Sequence, residues 1–166
     1  MTFDYLLDTN TYIQAKNFHY RMHIVPGFWD WLDLQLEGGL AGTIHPVARE
    51  LLSGNDPLAD WMQERKDRVL GVDDEATQNA FTDVVNHVMT HSAFAEPHRT
   101  TFLEGADPWL VAKAAALGAG LVTHESKVAS DSKKVKIPNV CEVFAVPYLN
   151  AYDLLENLDA RLVLDR

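Results

Sequence analysis

The chain has a single cysteine, Cys141, so no internal disulfide can staple it, and a reducing cytoplasm is the expected compartment. Long apolar runs are also missing. No segment approaches the ~18 to 20 residues that a membrane-spanning helix needs. The N-terminus lacks the basic start, apolar centre and small-residue cleavage site of a secretory signal, which leaves a cytoplasmic protein with no membrane association as the expectation. There is no fixed-period repeat and no low-complexity segment. No Gly-rich loop is built to cradle phosphate, and no Gly-x-Ser-x-Gly elbow is present to carry a serine nucleophile.

What remains is an ordinary globular composition. With 166 residues and 47% hydrophobic content, the chain can bury a sizeable core as one domain, 1–166. Its formal charge is −10. Taken alone this opposes passive binding to a phosphate backbone, whose affinity comes mostly from Lys and Arg. The charge is unevenly spread, however. Between residues 113 and 140, Lys113, Lys127, Lys133, Lys134 and Lys136 face only Glu125 and Asp131. Clustered carboxylates also stop repelling phosphate once they hold divalent cations.

Strand and helix patterns alternate. Tyr5-Leu6-Leu7 is an apolar run that stops at Asp8 and passes into Thr9-Asn10-Thr11, as expected of a buried strand delivering an acid to its C-terminal end. Thr9 or Asn10 can cap the helix that follows, toward Phe18. Helices are further expected from about Gly27 to Glu37, from Pro46 to Gly54, after the cap Asp56, after Asp73 or Asp74, and from Asp107-Pro108 to Gly118. Short strands are expected at 40–44, 69–72, 121–123 and 140–146, and a closing amphipathic helix at 148–158. Residues 93–104 read as irregular and 125–136 as a flexible polar loop. The alternation implies parallel pairing with helices on both faces of the sheet, where ligands bind beyond the carboxyl ends of the strands.

Four acids fall at that edge: Asp8 after the first strand, Glu50 one turn into the Pro46 helix, Asp107 at the head of its helix, and Glu125 two residues past the 121–123 strand. Mg²⁺ and Mn²⁺ prefer carboxylate oxygen and water, and several acids can fix such an ion while leaving it waters. A bound ion can lower the pKa of an attacking water and clamp a scissile phosphate. Without metal, four acids this close would repel, and at least one pKa would be pushed upward. Each acid also has a plain structural role open to it: Asp8 and Asp107 as helix caps, Glu50 as a solvated helix residue, Glu125 as loop surface.

Leu6-Leu7-Asp8-Thr9-Asn10, Val47-Ala48-Arg49-Glu50-Leu51, Ala106-Asp107-Pro108-Trp109 and Leu121-Val122-Thr123-His124-Glu125 together resemble, in order and spacing, the PIN-domain family of metal-dependent ribonucleases. That family includes the toxins of VapBC-type toxin–antitoxin modules. The resemblance covers nearly the whole chain and extends to Ile137-Pro138-Asn139-Val140 and Val146-Pro147. It implies a three-layer α/β/α sandwich around a mainly parallel sheet, a Mg²⁺ or Mn²⁺ site, and hydrolysis of RNA. Carried over by position, Asp8, Glu50 and Asp107 would form the core metal site and Glu125 the fourth acid, commonly aspartate in that family. Asn10 and Thr123 would be their polar neighbours, and Lys127, Lys133, Lys134 and Lys136 would guide the RNA backbone. A cognate antitoxin and a homodimer are the implied protein partners.

Two other classes stay open. A catalytically silent PIN-like module would bind RNA or protein. A phosphohydrolase with Asp8 as nucleophile would usually have a second aspartate two residues on, where this chain has Asn10. His87 and His91 are spaced i, i+4 on one helix, but no glutamate follows His87 and no cysteine cluster supports zinc. His45 and His124 lie near the acids. Trp29, Trp31, Trp61 and Trp109 could stack bases, though their spacing with other apolar residues suits a core or dimer contact.

Overall fold

In the computed structural model, which describes residues 1–164, the chain forms an all-parallel four-stranded sheet flanked by helices, a three-layer α/β/α arrangement. The last two positions of the expected 1–166 domain lie outside the described residues. The strands are β1 (Tyr5–Leu7), β2 (Ala41–Gly42), β3 (Gly120–Val122) and β4 (Tyr148–Leu149), in the order β2-β1-β3-β4. Leu6 pairs with Gly42 on one side and Leu121 on the other, and Leu121 in turn pairs with Tyr148. The chain therefore moves outward in one direction after β1 and in the other after β3. The crevice between those two carboxyl ends is where such sheets bind ligands.

The centre of the sheet is fully apolar because helices cover both faces. Leu6, Ile44, Leu110, Val111, Leu121 and Val122 are completely buried, each side chain contributing about 1.5–3 kcal/mol. Gly42 is required by close approach, since a Cβ there would stand 2.4 Å from the Phe3 ring. Nine α-helices lie among the described residues: α1 (Thr9–Asn17), α2 (Pro26–Glu37), α3 (His45–Leu52), α4 (Pro57–Gln63), α5 (Glu75–Thr90), α6 (His98–Glu104), α7 (Asp107–Leu117), α8 (Ile137–Val143) and α9 (Ala151–Asn157). The Ala-rich α7 is buried on most sides and stops at Gly118, whose φ of +67° suits glycine.

Several sequence expectations need correction. Asp8 itself, not Thr9 or Asn10, caps α1, accepting from the Thr11 amide. The 140–146 run is not a strand: Pro138 starts α8, in which Cys141 is buried, and β4 follows only at Tyr148. The expected strand at 69–72 shrinks to a single bridge between Ile44 and Leu70. Residues 98–104, expected to be irregular, form α6 and bury Phe102. The 125–136 segment is irregular as expected, yet it is tied down: Asn139 holds Val128 by both its amide groups, and the Ala95 amide donates to the Lys133 carbonyl.

Helices α5 and α7 make the broadest helix–helix contact. Phe81 stacks on Trp109 with centroids 3.5 Å apart, and Lys113 reaches Asp74 at 2.5 Å. Lys113 is thus a buried structural cation and no part of a basic surface. Asp74 also caps α5 through Thr77, and its carboxyl is held down at about 2, first by the Lys113 hydrogen bond. Asp74→Ala should destabilise the fold by roughly 2–3 kcal/mol in urea unfolding, because it strands the Lys113 ammonium and removes a cap. Lys113→Met should cost less, since it leaves only a half-exposed carboxylate. The contribution of the pair is present above pH ~4 and is lost as pH falls toward the folded value.

Candidate active site

The four acids lie about the carboxyl edge of β1 and β3, near enough for Asp107 to feel the charge of the other three. Asp8 is buried, its amide donating to the Val122 carbonyl across the strand pair. One carboxylate oxygen accepts from the Thr11 amide at 2.7 Å and the Thr11 hydroxyl at 2.6 Å, and the other from the Thr123 hydroxyl at 2.7 Å. Burial raises the Asp8 pKa, opposed by these hydrogen bonds and by His124 nearby. Thr123, expected as a polar neighbour, is therefore a direct partner of Asp8.

Glu50 projects from α3 toward two other elements. Its Oε1 accepts from the Ala106 amide at 2.8 Å, just before α7, and its Oε2 from the Thr9 hydroxyl at the start of α1. It is more than a solvated helix residue, because it holds the heads of α1 and α7 to α3. Glu125 accepts from the Ile137 amide at 2.8 Å and lies 3.9 Å from the Lys136 ammonium.

Asp107, in the first turn of α7, is the least satisfied of the four. Its pKa is raised to about 7, chiefly by burial and then by the charges of Glu125, Asp8 and Glu50, with Lys136 opposing. No hydrogen bond contributes to that balance. One carboxyl thus senses the other three, and Glu125 most of them. The plain alternative for Asp107 fails, since the cap of α7 is Ala106 with no side-chain bond.

A cleft of about 270 Å³ opens over Asp107 and Glu125, with His98, Thr101, Lys134 and Lys136 around it. Lys134 and Lys136 therefore line the same cleft as Asp107 and Glu125. Lys133 is exposed on the same loop, and Lys127 is paired with Glu142 at 2.8 Å. Asn10 is exposed and makes no contact with the acids through a hydrogen bond to Asp8, whose oxygens are taken by the threonines. Thr9 and Thr11 are the residues that sequence reasoning left out. The only local sign of them is the run of small polar residues after Asp8.

The remaining candidates pack. Trp29 and Trp31 are in the core, Trp109 lies against Phe81, and Trp61 lies under Arg65 at 4.3 Å. His87 and His91 are 5.3 Å apart among Phe94 and Phe144, with the His87 pKa lowered first by burial. The Cys141 thiol is pushed up to about 12 by burial, which leaves it inert at neutral pH.

Among the described residues no three His, Cys, Asp or Glu side chains are drawn together at metal-binding spacing. Asp8, Glu50 and Glu125 accept from hydroxyl and amide donors instead. Their chemistry nevertheless suits a hard divalent cation. All four offer oxygen, and the negative charge that adds to burial in raising the Asp107 pKa is what an ion between them would neutralise.

Fold and site together define a parallel α/β protein with an acidic cluster at the switch point of its sheet. The chain belongs to the family described as a domain of unknown function, DUF4411, whose sequence model matches residues 5–162. No curated protein and no solved structure matches it.

Proposed function

We propose that this protein is a divalent-metal-dependent endoribonuclease, the toxin of a type II toxin–antitoxin module, with Asp8, Glu50, Asp107 and Glu125 as its catalytic acids. The observation that carries the proposal is the placing of Asp107: it is buried beside three other carboxylates at a sheet edge flanked by lysines, and burial first, then those charges, raise its pKa to about 7. The resemblance of the four acid motifs to PIN-domain ribonucleases supports the same reading.

Mg²⁺ or Mn²⁺ held by Asp107 and Asp8, with Glu50 and Glu125 beside them, would supply an activated water and a counter-charge for the phosphate. The chain's own residues set the stage. Thr11 and Thr123 fix the Asp8 carboxylate, and the Ala106 amide fixes Glu50. Lys134 and Lys136 lie where a phosphodiester over Asp107 would need positive charge. Hydrolysis with in-line attack by water leaves a 5′-phosphate and a 3′-hydroxyl. The test is incubation with single-stranded RNA in Mn²⁺ and in EDTA, with the ends of the products identified. Cleavage only in Mn²⁺, with those ends, is expected; a 2′,3′-cyclic phosphate or cleavage in EDTA would refute it.

RNA binding should also separate the lysines. The slope of log affinity against log salt should become shallower by about one in Lys134→Ala and in Lys136→Ala. Lys127→Ala should change it less, because Lys127 is already paired with Glu142. Equal slopes in all three would remove the lysines from the RNA path.

The second reading, a silent module that binds RNA or protein, is favoured by one observation. Glu125 is engaged by the Ile137 amide and Lys136. RNA binding with no cleavage in any divalent metal would support it. A cytoplasmic setting, a cognate antitoxin and a homodimer are carried as proposals with the toxin reading. The structural support is narrower: among the described residues, no helix is long and apolar enough to cross a membrane.

A further inference from the structure

A second cleft adjoins the acids and has no role in the reading above. It encloses about 300 Å³ between α1 and α9, lined by Gln14, Phe18, His19, Tyr20, His124 and Tyr152. Its position is set by the chain leaving β3. Thr123 binds Asp8, the next residue His124 lines this aromatic cleft, and Glu125 lines the cleft over Asp107. The two clefts are therefore lined by successive residues at one strand exit, next to the Thr123 that binds Asp8.

Its walls are aromatic and open to solvent. Phe18 is 64% and Tyr152 48% exposed, unusual for rings of this size. His19, Tyr152 and His124 form a row, with centroids 5.9 and 6.0 Å apart and interplanar angles of 62° and 64°. Among the described residues none of these three rings is stacked face to face on another. The Gln14 amide and His19 imidazole place hydrogen-bonding groups on the same wall. An occupant that is flat, polar at its edges and joined to a phosphate would use the rings, the polar wall and the neighbouring acids together.

We propose that this cleft holds a nucleobase of single-stranded RNA adjoining the phosphodiester at the acids, stacked on Tyr152, with His124 at the junction of base and phosphate. The inference rests on the ribonuclease reading for its phosphate site. Stacking of this kind tolerates any base, because every base has a π-face.

The test is fluorescence anisotropy with a fluorescein-labelled, phosphorothioate-linked 12-nucleotide oligouridylate and an abasic chain of the same backbone and length. Wild type, Tyr152→Ala and Tyr152→Trp are compared in Mn²⁺. Wild type should prefer the base-bearing chain, and Tyr152→Ala should lose about 10-fold in affinity for it. The abasic chain should bind both equally, and Tyr152→Trp should keep the preference. Tyr152 is half exposed, so its removal empties no core, and unchanged melting temperatures verify this. Loss on both chains alike, or on neither, would overturn the cleft while cleavage of ordinary RNA would leave the ribonuclease reading standing. Base-dependent binding through Tyr152 with no cleavage would uphold the cleft and overturn that reading.

Discussion

Asp8→Asn and Asp107→Asn should each lower Mn²⁺-dependent RNA cleavage by on the order of 10³-fold or more, equivalent to about 4 kcal/mol of lost transition-state stabilisation. The two substitutions act differently. Asp8→Asn keeps the shape and can still accept from Thr11, but it puts an amide where the Thr123 hydroxyl or the cation needs a carboxylate oxygen. Asp107→Asn removes the acid that has no hydrogen-bond donor among the described residues, the one with most capacity left for an ion. Gel assays with purified variants, with folding checked by thermal melting, measure the loss. Activity within a few-fold of wild type in either variant would remove that acid from the chemistry.

The same Asp107 substitution should raise the stability of the metal-free protein at pH 8. The sign follows from the raised pKa. Asp107 shifts from 3.8 in the unfolded chain to about 7 when folded, so between those values the folded state binds more protons. Stability is fully present below the unfolded value, falls as pH rises through about 4 to 7, and levels off above the folded value. A shift of about three units corresponds to up to roughly 4 kcal/mol, and Asp8 adds in the same direction. Asp107→Asn should abolish most of that slope and gain stability at pH 8. Urea midpoints of both proteins in EDTA across pH 4 to 8 give the comparison. A variant less stable than wild type at pH 8 would mean that the carboxylate is satisfied by contacts of its own.

The parts of this site that were legible in the sequence are those with a local cause. The apolar Tyr5-Leu6-Leu7 run ending at Asp8, and the Asp107-Pro108 helix start with its stop at Gly118, follow from periodicity and from proline and glycine chemistry. The parallel layering followed from the alternation of elements. Short apolar runs gave no such guidance. Val140 to Val146 suits a strand or a buried helix equally, and Pro138 decided for the helix. The donors around the acids had no such local cause. Thr123 to Asp8 and Thr9 to Glu50 span 115 and 41 residues, distances over which periodicity carries no contact information, so Thr123 was reached only through the family resemblance and Thr9 not at all. The lysines divide similarly: Lys113 is drawn inward by Asp74, while Lys134 and Lys136 stay at the cleft.

The central claim is that Asp8, Glu50, Asp107 and Glu125 form one site for a divalent cation. Calorimetric titration of Mn²⁺ into the metal-free protein at pH 6, below the raised Asp107 value, tests it most directly. The account predicts saturable binding with release of a proton, measured by repeating the titration in buffers of different ionisation enthalpy, and loss of both in Asp107→Asn. Saturable binding of the same strength in Asp107→Asn, or no binding to the wild-type protein, would contradict it.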